Sequence, residues 1–528
     1  MKINKILRAS LYALCVCAVA ACTANYEDIN QDPYGVGPDD MEGDGYNISS
    51  ALVGMQGWVI PTTALTYQFT DCLLGGSWGG YLADSNQSFN SGKFSTYNPS
   101  DGWMLVMFKD IIPKIYSSHK MLKAVTTDAV PLAIADIINV AALHRITDCY
   151  GPIPYSQIGA GGQLKAPYDS QEAVYKRMFE ELTAAAATLE AHQTETISAN
   201  ADKVYAGDVL KWIKYANSLK LRLAVRLSYA DAATAQKMAE EAVNNKIGVM
   251  TTNADNAALS SFGKDGNPAY VVMWNWNGGD SRIGADIASY MNGYADPRRA
   301  AYFTKSTFTA ADNIPNDYYG LRSGIDIDTK EAAQKYSNAA ITPNTPLMWM
   351  NASEVAFLRA EGALRGWSMG GSAESFYNDG IRLSFAQWGV AGAETYLGNS
   401  TARPQVYRDP RGLNNYAGEV SSIRIKWNNG DGTEKNLERI ITQKWIANFL
   451  MGQEAWADYR RTGYPHLMPV VSNRSEGGVV NAEEGARRLK YPLDEYTTNA
   501  ENVTAAVASY LDGADNLATH VWWDCKNK

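Results

Sequence analysis

DVLKWIKYANSLKLRLAVRL, residues 208–227, reads as a single amphipathic helix. Asp208 is a capping residue at its start, and Trp212, Ala216, Leu219, Leu223 and Leu227 recur at three- and four-residue spacing, while Lys211, Lys214 and Arg222 fall off that stripe. Similar stretches lie on both sides. Residues 130–149 place Leu132, Ala135, Ile138, Ala142 and Ile146 at helical spacing. Asp169 with Glu172 predicts a capping box ahead of Val174, Met178, Leu182, Ala185 and Leu189. Glu354 to Leu364, 376–388 and 437–449 continue the pattern, the last leading into Gly452-Gln453-Glu454-Ala455-Trp456. Helices in pairs with short links predict an all-α-dominated chain built of tetratricopeptide-like hairpins, although the repeat period is too degenerate to fix the repeat type.

The texture changes between about 250 and 350. Gly, Asn, Asp and Pro become frequent, and helical periodicity survives only near residues 283–290. The expected organisation is therefore a helical region over 47–250, a loop-rich insertion over 251–350, and a C-terminal helical region with loops over 351–528. Long loops on a rigid scaffold are where binding surfaces concentrate.

The N-terminus carries an export signal. Lys2, Lys5 and Arg8 precede the apolar run 11–21, which is too short to span a bilayer. Residues 1–21 read as a signal peptide, and Val19-Ala20-Ala21-Cys22 resembles a bacterial lipobox, with Cys22 lipidated as the mature N-terminus. Acyl chains on Cys22 would hold the protein to a membrane. Residues 22–46, rich in Asp, Asn, Gly and Pro, read as a tether. Removing the leader takes three of the 47 basic residues and leaves 44 against 56 acidic ones. A net charge near −12 argues against a nucleic-acid partner, which demands a basic footprint.

Signals for catalysis and metal binding are missing. The five histidines His119, His144, His192, His466 and His520 make no HExxH pair, and neither a G-x-S-x-G elbow nor a phosphate loop occurs. Paired carboxylates, all that a glycoside hydrolase requires, cannot be dismissed by motif among 56 acidic residues. Asp326 and Asp328, and the Asn429-Gly430-Asp431-Gly432 turn, lack the spacing of a calcium loop. Gly75-Gly76-Ser77-Trp78-Gly79-Gly80 follows no phosphate-loop pattern and reads as a tight turn. Cys72, Cys149 and Cys525 show no metal spacing and read as isolated thiols, with one disulfide left open.

Several longer motifs recur together: TDCYGPIPY at 147–155, KWIKYANSLKLR at 211–222, Asp296-Pro297-Arg298 ahead of Tyr302-Phe303, QEAWADYRRTGYP at 453–465, and RRLKYP at 487–492. With the lipobox, they resemble the SusD/RagB family of outer-membrane lipoproteins of Bacteroidetes, from the tether to Val521-Trp522-Trp523-Asp524. The Glu27-Asp28 pair stands further from Cys22 than the family's surface-export signal. The resemblance implies a lipid-anchored protein on the outer membrane that faces outward. It would capture an oligosaccharide, with no covalent step and no cofactor, and pass it to a SusC-like TonB-dependent β-barrel transporter. Some family members serve peptide uptake instead. The motif residues read as scaffold: Trp212 and Tyr155 as core, Asp148 as a cap or arginine partner, Arg460 and Arg461 as holders of a buried carboxylate.

A sugar ring has an apolar CH face and a hydroxyl rim, so it is held by aromatic faces beside hydrogen-bonding side chains. Two irregular stretches supply such residues. Trp78, Tyr81, Asn86, Phe89 and Tyr97 lie in the first. Trp274, Asn275, Trp276 and Asn277 lie among glycines in the second, followed by Tyr318 and Tyr319.

Overall fold

Asp208 does cap the diagnostic helix: its side chain accepts from Lys211 N at 3.1 Å. The computed structural model describes residues 45–160 and 165–526, so Cys22 and nearly all of the tether lie outside the described residues. The principal helices are α1 (Tyr46–Val59), α2 (Ile112–Val125), α3 (Ala129–Tyr150), α4 (Gln171–Ala191), α5 (Val209–Arg226), α6 (Ala232–Val243), α7 (Ala285–Gly293), α8 (Ala352–Leu364), α9 (Ala373–Gln387), α10 (Gly432–Ala447), α11 (Gly452–Thr462) and α12 (Ala500–Tyr510). Helices α2 to α6 pack each on the next as a layer of hairpins. Helix α5 also meets α8, which packs on α9 and α10. The all-α fold class holds.

Helix α3 is apolar on every side because the protein surrounds it, from Val130 through Ile138 to Tyr150. It is long and apolar enough to cross a membrane, yet 72% of its most apolar window is buried inside the protein. Helix α4 starts one residue later than the capping-box reading placed it. Ser170 is the cap, accepting from Ala173 N at 3.2 Å. Asp169 instead accepts from Tyr155 N (3.2 Å) and Ser156 N (2.7 Å), which ties down the turn after α3.

Strands are few. β1 (Leu82–Asp84) pairs antiparallel with β3 (Ser281–Ile283), and β2 (Ala257–Leu259) pairs with β4 (Leu347–Met350) across a bulge. The first ladder ties the 251–350 stretch to the N-terminal part, and the second closes that stretch on itself just before α8. Residues 49–528 form one compact unit. Irregular backbone is not confined to 251–350, since 398–428 and 463–492 are also largely free of helix and strand.

The glycines at 75–80 do more than turn the chain. Gly75 is the last residue but one of a wide helical segment, Gln68–Gly76, and a Cβ there would stand 2.7 Å from Gln453 N. A Cβ on Gly452 would stand 2.2 Å from the Gly75 carbonyl carbon. Glycine at both places lets the start of α11 touch the backbone of this segment, and any side chain would separate them.

The arginines of α5 are not at the surface, whereas Lys211 and Lys214 are half-buried. Arg222 is buried and donates from Nε and Nη2 to the Glu354 carboxylate of α8 at 2.7 and 2.8 Å. Arg226 reaches Glu454 at 2.5 Å and Asp148 at 3.4 Å. Lys444 of α10 meets Glu454 (3.0 Å) and Asp458 (2.7 Å), and Arg461 meets Glu361 (2.5 Å) and Asp458 (3.1 Å). Burial pushes the Glu454 carboxyl up, but Arg226, Lys444 and Arg222 together hold it well below the usual carboxylate range. Arg461 thus holds a buried carboxylate as its motif suggested. Arg460 departs from that expectation. It donates to the carbonyls of Asp148 and Arg487 and lies over the Trp456 ring at 3.5 Å, so burial pushes its guanidinium down to about 10.

Candidate functional site

The exposed aromatic loop grows out of a short capped turn. Asn267 accepts from Ala269 N (2.7 Å) and Tyr270 N (3.2 Å), and Pro268 occupies the first helical position, where its missing N–H costs nothing. The wide turn Val271–Asn275 buries Val271, Val272 and Met273, which turns Trp274 outward to 37% exposure. Its ring lies near-parallel to Tyr270, with centroids 6.5 Å apart, and its Nε1 donates to Ala339 O at 3.0 Å. The indole is anchored by its edge with its surroundings open. Trp276 is half-exposed, and Asn275 and Asn277 are exposed.

The turn that follows uses backbone few residues tolerate. Asn277 has φ 51°, a left-handed conformation in which asparagine is enriched. Gly279 has φ 101°, and a Cβ there would fall 2.1 Å from Met273 O.

Three segments brace this loop from below. The Asp280 carboxylate, buried, accepts from Gln68 Nε2 (2.9 Å), Asn86 Nδ2 (2.9 Å) and Lys330 Nζ (2.6 Å). Its backbone carbonyl accepts from Ser85 N at 2.9 Å, where the β1–β3 ladder ends. Arg282 donates to Gly278 O (2.8 Å), Ser281 O (2.9 Å) and Gln334 O (3.1 Å). Burial pushes its pKa down to about 10, with Asp280 opposing. Gln334 Nε2 donates to the carbonyls of Asn277 (2.8 Å) and Gly279 (2.9 Å). The β1–β3 pairing thus brings the Asn86 turn, with exposed Gln87 and Ser88, beside the tryptophan loop.

Of the residues read from the sequence, Trp274, Asn275, Trp276, Asn277 and Asn86 therefore share one braced region. Trp78 and Tyr81 do not. Trp78 is 7% exposed, donates to Phe94 O (2.8 Å) and packs on Trp456 at 4.7 Å. Tyr81 is fully buried, stacks on Trp445 at 5.5 Å, and donates to Trp445 O. Both are corrected from platform to core, because rings from far along the chain, Trp456 on Trp78 and Trp445 and Phe449 on Tyr81, cover them. Tyr97 is likewise buried, and Phe89 stands half-buried, edge-on to Trp103.

Tyr318 and Tyr319 lie on a neighbouring segment. Tyr318 is half-exposed beneath Arg299 (4.6 Å) and Lys305 (5.7 Å). Tyr319 packs on Phe308 and exchanges hydrogen bonds with Ser337. Among the described residues no ring contact joins either to Trp274 or Trp276. Asp280, Arg282, Lys330 and Gln334 escaped sequence reasoning, since no local pattern links residues about fifty positions apart.

Among the described residues no three of His, Cys, Asp and Glu are grouped to hold a metal. Asp326 pairs with Arg474, Asp328 with Arg411 and Asp431 with Arg439, which accounts for these acidic turns as ion pairs. The arrangement offers flat apolar faces beside amides, suited to non-covalent capture of a molecule with both apolar and hydroxyl surfaces.

The chain matches the family model described as "SusD-like: Susd and RagB outer membrane lipoprotein" over residues 28–524. It is 48% identical to a SusD homolog from Bacteroides uniformis, covering 91% of this chain and 100% of that one, with a TM-score of 0.88. A SusD homolog from Bacteroides thetaiotaomicron is 44% identical over 91% of this chain and 99% of its own, with a TM-score of 0.85. A chitin-binding SusD homolog from Flavobacterium johnsoniae is 37% identical over 91% and 99%, with a TM-score of 0.86. No curated protein matches the chain. With a family model matched along nearly the whole chain and relatives this similar end to end, the protein belongs to the SusD/RagB family of outer-membrane lipoproteins.

Proposed function

We propose that this protein captures an oligosaccharide at the outer face of the outer membrane and delivers it to a SusC-like TonB-dependent β-barrel transporter, without chemical change to the ligand. The observation that carries the reading is the braced loop at 274–277, which presents Trp274 and Trp276 with two exposed asparagines between and beside them. The relative described as chitin-binding supports a glycan as ligand. Calorimetric titration with chitooligosaccharides, a wider oligosaccharide panel and peptides tests it. Saturable binding of at least one glycan is expected. Saturation by peptides alone would replace the glycan reading with a peptide one.

The anchor in this proposal is Cys22. Cys22→Ala should release the protein from the membrane fraction or block its maturation, and a variant that still fractionates with lipid at the mature mass would remove the anchor.

A further inference from the structure

Tyr318 makes no ring contact with the tryptophan platform, but it carries a feature of its own. Arg299 and Lys305 both lie over its ring, 4.6 and 5.7 Å from the centre. One asparagine and the backbone set this up. Asn292 Oδ1 accepts from Arg299 Nη1 at 2.8 Å, and Asn292 Nδ2 donates to Tyr318 O at 2.9 Å, so a single side chain holds the arginine against the tyrosine. Ser306 N donates to Asp317 O at 2.9 Å and Asn316 Nδ2 to Ser306 O at 2.6 Å, which fixes Lys305 alongside.

Among the described residues neither cation forms an ion pair. Asp317, exposed and next to Tyr318 in the chain, pairs with neither. The asparagine takes one guanidinium nitrogen. The other N–H groups of Arg299 are not sealed inside the protein, and Lys305 is exposed. Contact with a ring engages the face of a guanidinium and leaves its N–H edge free, in the fork geometry that matches a carboxylate. Like charges held together repel, and an anion between them removes that cost. A chain with 56 acidic against 47 basic residues has counter-ions to spare, yet none stands here.

The pair also neighbours the platform. Ala339 O accepts from Trp274 Nε1 at 3.0 Å, and the same stretch bonds the segment that leads to Lys305, through Ala340 N to Tyr302 O and Thr304 N to Asn338 O, both at 2.9 Å. We infer that Arg299 and Lys305 over Tyr318 form an acid-binding subsite, and that the captured oligosaccharide carries a carboxylate, as a uronic acid does. A neutral glycan would leave both cations unanswered. This inference rests on the glycan reading of the platform, and its test tells the two apart.

The probes are galacturonate and mannuronate trimers and a hyaluronan tetrasaccharide, each beside its methyl ester, which keeps rings, linkages and hydroxyls and removes only the charge. Calorimetry on the mature protein should show saturable binding of at least one acid, with its ester weaker by about tenfold, the factor that a charge-assisted hydrogen bond carries. The two cations share that effect, so Arg299→Gln and Lys305→Gln should each weaken the acid by about threefold and spare the ester. Lys305 is exposed, so its variant decides should Arg299→Gln fail to fold. Absence of binding by every acid overturns the inference, as do an ester that binds as tightly as its acid and wild-type acid affinity in both variants. Acid binding that falls in the glutamine variants but stays whole in Trp274→Ala keeps the acid subsite and removes the platform. Chitooligosaccharide binding that Trp274→Ala weakens, with no acid bound, keeps the platform and removes the acid subsite.

Discussion

The ion lattice between α5, α8, α10 and α11 and the loop at 274–282 are both held by buried charge, but with opposite results. In the lattice, Arg222, Arg226, Lys444 and Arg461 face Glu354, Glu361, Glu454 and Asp458, and nothing of the charge reaches the surface. In the loop, Asp280 and Arg282 are buried only to hold up a surface. Asp280 collects Gln68, Asn86 and Lys330, Arg282 collects carbonyls, and Trp274 and the asparagines stay outside. Removing one member of a closed charge set strands its partners in a medium that cannot solvate them. Losing a brace, by contrast, frees a loop that can still reach water. On the proposed reading, the lattice sets whether the chain folds and the braces set whether it binds.

The largest expected effect tests the lattice. Glu454→Ala leaves Arg226 and Lys444 short of a carboxylate and should cost about 3–5 kcal/mol in urea denaturation. Ligand affinity of the folded fraction should be unchanged. A loss below about 1 kcal/mol would show that the lattice relaxes and that the contrast drawn above is wrong.

Asp280→Ala should cost less stability, about 1.5–3 kcal/mol, but should also weaken glycan binding, because Asn86 and Lys330 lose the group that docks them against the loop. Full affinity with lowered stability would make Asp280 a core residue only. Trp276→Ala and Trp274→Ala should spare the melting temperature and cost about 2 kcal/mol of affinity, roughly thirtyfold. A fall in stability of about 3–5 kcal/mol, as for a core tryptophan, would move the site elsewhere.

The effect that is smallest near neutral pH concerns His144, beside the lattice on α3. Burial, and next Arg222, push its imidazole down to about 3, against about 6.5 in the unfolded chain. The unfolded state therefore binds the extra proton as the pH falls below about 6.5. Stability from this group is complete above that pH and declines by about 1.4 kcal/mol per pH unit toward the folded value. His144→Gln should flatten this part of the acid limb. An unchanged slope would assign acid sensitivity to other groups.

Much of the fold was legible because helical periodicity is a local property. The stripe from Trp212 to Leu227, the Asp208 cap and the bounds of α3 follow from residues a few positions apart. The Asp169 capping box was misplaced by one residue because Ser170 competes for the same role, and the tertiary contact with Tyr155 and Ser156 drew Asp169 away. Arg222 read as off the apolar stripe, which is true of the helix alone. Only the arrival of Glu354 from α8 made that face interior.

The site divides along the same line. The sequence by itself determined the family, through long ordered motifs that turn out to be scaffold, and it marked Trp274 to Asn277 as aromatic and amide residues lacking a helical reason. It favoured Trp274 over Trp78 but did not place Trp78 in the core, since both lie in irregular stretches that contain glycines. Tertiary structure decided that difference. At Gly75 and Gly452 two backbones come within reach of each other and α11 lays Trp456 on Trp78, while at Gly278 and Gly279 the chain turns back over Met273 and leaves Trp274 outside. A glycine reports only that a side chain would not fit. Which atoms stand in the way is settled by chain segments far apart in sequence, and that is where burial, exposure and the binding surface are assigned.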